Sequence, residues 1–227
     1  TQLGGALWFV QALFQVSLLY AGVDFALRRL LRGRDTMPAQ ALLSGALLLL
    51  GQALGRRGWN VWGLGIVCSV YCLFFLGVAA GQLRRPVRSA PVLLGLGAAA
   101  FAVLLAMLPF GSVGLAGNQY PNWLFLLAAS AAGWLLVYAC AALAVRCRPL
   151  GAALAALGRA TMPVVILHFL SFKLVSWLGL QALGGEGYLL AAFPTLFGGG
   201  AWWLAYTAAG LALPLLAYAP YRAAKRR

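Results

Sequence analysis

"LGRATMPVVILHFLSFKLVSW", residues 157–177, decides what kind of protein this is. The stretch is apolar over enough length to cross a bilayer, which takes about 20 residues within a range of about 17 to 25. It also carries the only histidine of the chain, His168, and a lysine, Lys173, five residues later. Composition places the rest of the chain in the same setting. Hydrophobic residues make up 63% of the 227 and charged residues 9%, against about 25% charged in an ordinary soluble domain. No water-soluble fold of this size hides so much apolar surface.

A formal charge of +14 ordinarily suggests nucleic acid, but such a binder gathers its cations into one stripe or face. Here they fall in short clusters between apolar runs, as multi-pass proteins arrange them. Membrane lipid therefore replaces nucleic acid as the expected partner. Seven runs are long enough to span: 3–27, 38–54, 61–83, 91–110, 123–145, 163–183 and 201–221. The chain is read as an all-α, multi-pass integral membrane helical bundle forming a single domain over residues 1–227. The second run is the shortest, and Gly45, Gly51 and Gly55 dilute it. Pro38, Pro91 and Pro163 stand where helices begin, a place that tolerates proline because the missing N–H has no partner there.

The connections differ sharply in charge. Arg28, Arg29, Arg32 and Arg34, then Arg84, Arg85 and Arg88, then Arg146, Arg148 and Arg159, and the tail Arg222, Lys225, Arg226 and Arg227 all fall on one side of a strict alternation. They are fourteen of the 17 cations; the other side holds only Arg56 and Arg57, and Lys173 lies within a span. Because the cytoplasmic side carries the excess, the start is expected outside and the C-terminus in the cytoplasm. The chain opens on Thr1 with no charged leader and cleavage site to export it. The expectation is a C-terminal part of a longer protein, with an odd number of spans upstream.

Few residues offer chemistry. Asp24, Asp35 and Glu186 are the only acids, and no phosphate loop, dinucleotide fingerprint or zinc motif occurs. Cys68 and Cys72, one turn apart, read as small buried hydrophobes and the four cysteines outline no disulfide framework. Entering from the cytoplasmic side at Pro163, a rise of about 1.5 Å per residue puts His168 roughly 8 Å deep and Lys173 about 15 Å deep. A lysine at that depth costs about 2.5–3.5 kcal/mol on insertion scales, so it is expected to face protein, water or a partner group. Thr161, Val164, His168, Ser171 and Val175 share a stripe, and Lys173 lies about 140° from His168 around the helix. His168 is either a neutral imidazole bonded to a neighbouring helix or a group lining a reaction site; Lys173 either binds an anionic group or snorkels.

"LGRATMPVVILHFLSFKLV" resembles the penultimate helix of the multi-pass membrane O-acyltransferases, the acyltransferase type three family, in its branch related to fucose 4-O-acetylase. A Gly-polar-Thr-Met entry leads there to an apolar run ending in Leu-His-Phe and then Phe-Lys. "GGALWFVQALF", residues 4–14, and "GLAGNQYPNWLFLLAASAAG", residues 114–133, resemble two further stretches of the family, in the right order. The resemblance implies a ten-helix plan of which these are the last seven. It also implies transfer of an acyl group, usually acetyl, from cytoplasmic acyl-coenzyme A to a hydroxyl of a sugar, polysaccharide or other cell-envelope component, in a bacterial cytoplasmic membrane. Acyl-coenzyme A is then a co-substrate, with no permanently bound cofactor or metal. The family's primary catalytic histidine lies in early helices, and nothing here matches it.

On that reading His168 is a supporting catalytic group, with Lys173 beside it as a candidate. Arg146, Arg148 and Arg159 meet coenzyme A phosphates, or else only set topology. Asn118, Gln119, Tyr120 and Asn122 offer hydrogen bonds and a flat surface to a sugar, or form a plain interfacial loop. Gln11 and Gln15, one turn apart, add a polar strip for substrate or for interhelical bonds. Asp24 and Arg28 read as a boundary ion pair. Gly51/Gly55 and Gly77/Gly81 have the GxxxG spacing of close helix contacts. "GGEGYLLAAFPTLFGGG", residues 184–200, suggests a re-entrant or interfacial lid. The competing function is a transporter or flippase for an envelope lipid or glycan, though no internal repeat supports it. A purely structural membrane partner comes third.

Overall fold

The computed structural model describes residues 7–32, 34–59, 61–82, 87, 89–192 and 195–224. Of the charge count, Arg84, Arg85, Arg88, Lys225, Arg226, Arg227 and the side chain of Arg222 lie outside the described residues. So do Thr1, residues 4–6 of the first quoted helix start, and Phe193 and Pro194 of the 184–200 segment.

The chain runs through α1 (Leu7–Leu30), α2 (Met37–Arg56), a 3-10 turn (Val61–Gly63) leading into α3 (Leu64–Gln82), α4 (Ala90–Met107), α5 (Trp123–Ala144), α6 (Arg148–Arg159), α7 (Thr161–Leu183), α8 (Leu189–Ala192) and α9 (Trp202–Ala224). Seven of these are long and apolar enough to cross a membrane, and no strand occurs among the described residues. The protein is an all-α, multi-pass membrane bundle. α1 runs past its expected end to Leu30, and Arg28 pairs with Asp24, 2.6 Å away, near that end. α2, expected as the weakest span, is a full helix of 20 residues. Pro38 and Pro91 sit in the first turns of α2 and α4. The connection after α5, expected only as a basic link, is itself helical: Leu150, Leu154 and Leu157 recur at i, i+4, i+7 along α6 between Arg148 and Arg159.

Contacts divide the chain into two compact units, residues 8–151 and residues 152–227 with 1–7. In the first, α2 packs along α3 and α4 along α5. Close approach begins at Gly51: a Cβ there would stand 2.7 Å from the backbone nitrogen of Ser69. Val16, Val67 and Tyr71 form one buried cluster, and Leu48, Cys72 and Leu126 tie α2, α3 and α5 in another. Polar groups on the buried face of α2 bond across helices, as lipid-embedded bundles require. Tyr71 donates to Gln40 Oε1 at 2.6 Å, and Thr36 donates to Asp24 at 3.2 Å. Gly77 and Gly81 do not make the contact their spacing suggested, since a Cβ at either meets nothing within 4 Å.

In the second unit α7 packs against α9. A Cβ on Gly210 would lie 2.6 Å from the Phe172 ring, and one on Gly179 would lie 2.9 Å from Trp202. Ser176 and Tyr206 share a hydrogen bond of 2.8 Å between the two helices. The same Tyr206 hydroxyl accepts from the backbone N–H groups of Leu196 at 3.1 Å and Phe197 at 3.3 Å, which seats the end of the 184–200 segment. Pro214 is buried within α9 and has no N–H, so the Gly210 carbonyl lacks its usual i+4 donor.

Candidate functional sites

His168 lies half-buried on α7 and faces a cavity of about 310 Å³ lined by Val164, Val165, Phe172, Thr207, Gly210 and Leu211. Its ring is oriented by its own helix. Nδ1 stands 3.0 Å from the Val164 carbonyl and 2.9 Å from the Val165 carbonyl. Carbonyls only accept, so Nδ1 donates to them. Phe169 and Phe172 flank the ring at centroid distances of 4.3 Å and 5.3 Å. Thr207, whose hydroxyl has no partner among the described residues, and Gly210, whose carbonyl lacks its i+4 donor because of Pro214, also line this cavity. An imidazole held this way beside apolar walls can take part in moving a proton to or from a hydroxyl. Gly210 makes the space possible, because any side chain there would press on Phe172.

Lys173 does not join this cavity. It is exposed on another side of α7 and makes no hydrogen bond or ion pair among the described residues. Arg148 opens α6 and Arg159 closes it, and both are exposed. Arg146 is exposed in the turn just before α6 and belongs, with Arg148, to the first unit; Arg159 belongs to the second.

The 114–122 loop of the first unit is built on a different principle from an open sugar platform. Gly114 and Gln119 pair as an antiparallel bridge, and Asn118 takes the left-handed conformation with φ 52°. This turns the Asn118 side chain inward, where it is only 4% exposed. Its Oδ1 accepts from Ser69 at 2.8 Å and its Nδ2 donates to the Gly51 carbonyl at 2.8 Å. Tyr120 closes the network with a 2.8 Å bond to the same Ser69 hydroxyl. Burial pushes the Tyr120 hydroxyl above its ordinary range, against the opposing pull of the Ser69 bond and the Arg56 charge. Asn122 is the N-cap of α5, accepting from Phe125 N at 2.8 Å. Asn118 and Asn122 thus hold the loop in place, and their side-chain bonds go to protein.

Beside this network lies a cavity of about 180 Å³ lined by Gln52, Gly55, Arg56, Asn118, Gln119 and Tyr120. Gln52 and Arg56 join it although neither stands in a motif; both come from the last turns of α2. Their signal is periodic. Gln40, Ser44, Leu48, Gly51, Gln52 and Gly55 recur along one face of α2 at helical spacing, a polar and small stripe inside an apolar run. Gln15 lies apart, donating to the Trp62 carbonyl at 3.4 Å, and Gln11 is exposed on α1 with no hydrogen bond among the described residues.

No protein-family model, no curated protein and no solved structure matches the chain.

Proposed function

We propose that this chain is the body of a membrane O-acyltransferase, moving an acyl group, acetyl in the first instance, from cytoplasmic acyl-coenzyme A to a hydroxyl of a sugar or cell-envelope component. The observation that carries the reading is His168: its Nδ1 is held by two carbonyls of its own helix, and the residue lines an apolar cavity. The resemblance of residues 157–175 to the penultimate helix of such enzymes supports the same assignment. Fourteen cations against two across the alternating connections support an outside start and a cytoplasmic end.

The chemistry asks for a base near neutral pH and a donor for the developing oxyanion. The acceptor hydroxyl loses its proton toward the primary base, with His168 in support, as its oxygen bonds to the acyl carbon. The carbon–sulfur bond then breaks, and the coenzyme A thiolate leaves and takes up the proton. Thr207 offers a hydroxyl donor and the Gly210 carbonyl an acceptor for orienting the incoming hydroxyl. His168 acts as supporting base or relay beside the primary histidine expected upstream. Arg159, in the same unit as His168, offers a cation to the coenzyme A phosphates.

Acetyl-coenzyme A turnover in lipid nanodiscs tests this, comparing the chain, an upstream-extended reading frame, and the extended form with His168→Ala or His168→Gln. The expected result is activity in the extended form, reduced about 100-fold by either substitution. A folded, extended protein that neither binds nor consumes acyl-coenzyme A overturns the reading. Transport of an envelope lipid or glycan then becomes the leading account.

A further inference from the structure

α6 is too short to cross a bilayer: its 12 residues rise about 18 Å, against a hydrocarbon core of about 30 Å. Its connections nevertheless hold it at the membrane. Three residues separate Arg148 from the end of α5, a membrane-spanning helix, and one residue separates Arg159 from the start of α7, another. Register divides the surface of α6 in two. At about 100° per residue, Leu150, Leu154 and Leu157 fall within about 60° of one another, while Arg148 and Arg159 lie within about 20° of each other on roughly the opposite side, among alanines. The two arginines are the only polar side chains of the helix. Leu150 is 47% exposed and Leu154 46%, and Leu157 is half-buried. Exposed leucines on the spans are covered by lipid tails; those of α6 are not covered by crossing the core, and leaving them in water is unfavourable.

We infer that α6 is an interfacial helix whose partner is the lipid surface itself: the leucine stripe enters the boundary between headgroups and acyl chains, and Arg148 and Arg159 stay at the level of headgroup phosphates and water. A helix with leucines on one face and cations on the other takes this position, sunk by about 5–10 Å on its apolar side. The long arginine stems let the guanidinium groups remain hydrated while the helix lies flat. Continuity favours lipid over a protein partner, because both ends of α6 are tied within three residues to helices whose own apolar surface already sits in the bilayer. Charge agrees, since α6 carries two cations and no acid beside a surface of phosphates. The inference does not depend on acyl transfer. Arg159 remains on the water side, open to the coenzyme A phosphates, and an inactive protein leaves α6 where it is.

Fluorescence quenching from the two sides tests this. Leu150→Trp and Leu154→Trp place a reporter on the leucine stripe, and Ala152→Trp places one on the arginine side; all three positions are exposed, so the added ring displaces no packed neighbour. Each variant of the full chain is reconstituted in phosphatidylcholine nanodiscs, with and without lipid brominated near the top of its acyl chains, and the emission of the parent is subtracted. Leu150→Trp and Leu154→Trp are expected to lose severalfold more emission to brominated lipid than Ala152→Trp does, and acrylamide, added from the water, is expected to show the reverse order. Leu150→Trp decides the matter if Leu154→Trp does not fold. Acrylamide quenching as strong on the stripe as at Ala152→Trp puts the leucines in water and overturns the inference. Stripe variants shielded from both quenchers are covered by a second copy or another protein, which overturns it as well. A brominated-lipid response at Ala152→Trp equal to that of the stripe means that the helix is immersed whole, and the interfacial reading falls.

Discussion

Replacing Asn118 separates the two things this residue does. Its side chain makes two buried hydrogen bonds, to Ser69 and to the Gly51 carbonyl, and its backbone sits at φ 52°. Each bond contributes about 0.5–1.5 kcal/mol net, so losing both costs about 1–3 kcal/mol. Holding a residue with a Cβ and no local hydrogen bond in the left-handed region costs about 1–2 kcal/mol more. Asn118→Ala is therefore expected to destabilise the first unit by about 2–5 kcal/mol, and Asn118→Gly, which escapes the backbone term, by about 1–3 kcal/mol. Unfolding in mixed detergent micelles, followed by tryptophan fluorescence, measures both. Values within about 0.5 kcal/mol of the parent for both variants, the range of an inconsequential surface change, refute the network as what holds the loop. Equal losses for Ala and Gly refute the backbone part alone.

The two GxxxG pairs are expected to behave oppositely. Gly51→Val drives a side chain into the Ser69 backbone and is expected to cost about 3 kcal/mol or more, whereas Gly81→Val meets open space and is expected within about 0.5 kcal/mol of the parent; the same micelle assay reads both. Tyr206→Phe removes the hydroxyl that receives the Leu196 and Phe197 N–H groups, so a cysteine placed at Leu196 is expected to label severalfold faster with a water-soluble maleimide, and an unchanged rate counts against the anchor. Tyr120 has a raised pKa, so the fold favours its neutral form: its contribution is complete below the ordinary value of 10.0 and fades as pH rises through the higher folded value. Subtracting the ultraviolet titration of Tyr120→Phe from that of the parent isolates this group. A difference curve centred at or below 10.0 contradicts the burial described.

The spans were legible because crossing a bilayer demands a length of apolar chain that few other structures need, and α1 to α5, α7 and α9 show it plainly. α6 was hidden by its arginines, which draw attention as topology markers and distract from the leucine spacing between them. At the loop, residue types alone do not tell which way each side chain faces. An Asn-Gln-Tyr run looks like a display of hydrogen bonds to solvent, yet Asn118 tolerates the left-handed backbone that turns it inward, and composition carries no sign of which way a side chain faces. Gln52 was illegible for the opposite reason: one amide in an apolar helix is lost in the average, and only its register with Gln40, Ser44 and the α2 glycines marks the buried face. His168 was found by its rarity, but its tautomer depends on the distance to two carbonyls, which no sequence pattern displays.

The Tyr206 anchor bears on the order of assembly during synthesis. Chains emerge N-terminus first, so Gly51 and Ser69 exist before Asn118 arrives, and the 114–122 loop docks onto a finished platform. The segment ending at Leu196 and Phe197 has only part of its platform at that stage. Ser176 is already present and accepts from the Leu196 N–H at 3.3 Å, but the hydroxyl that accepts from both Leu196 and Phe197 belongs to Tyr206, on a helix still to be made. Backbone donors near lipid are costly to leave unmet, so until α9 inserts this stretch must stay hydrated or be sheltered by the insertion machinery. The last hairpin consequently closes only when its final helix enters the membrane, and a ribosome stalled between residues 197 and 206 would leave a nascent chain with its return segment unseated.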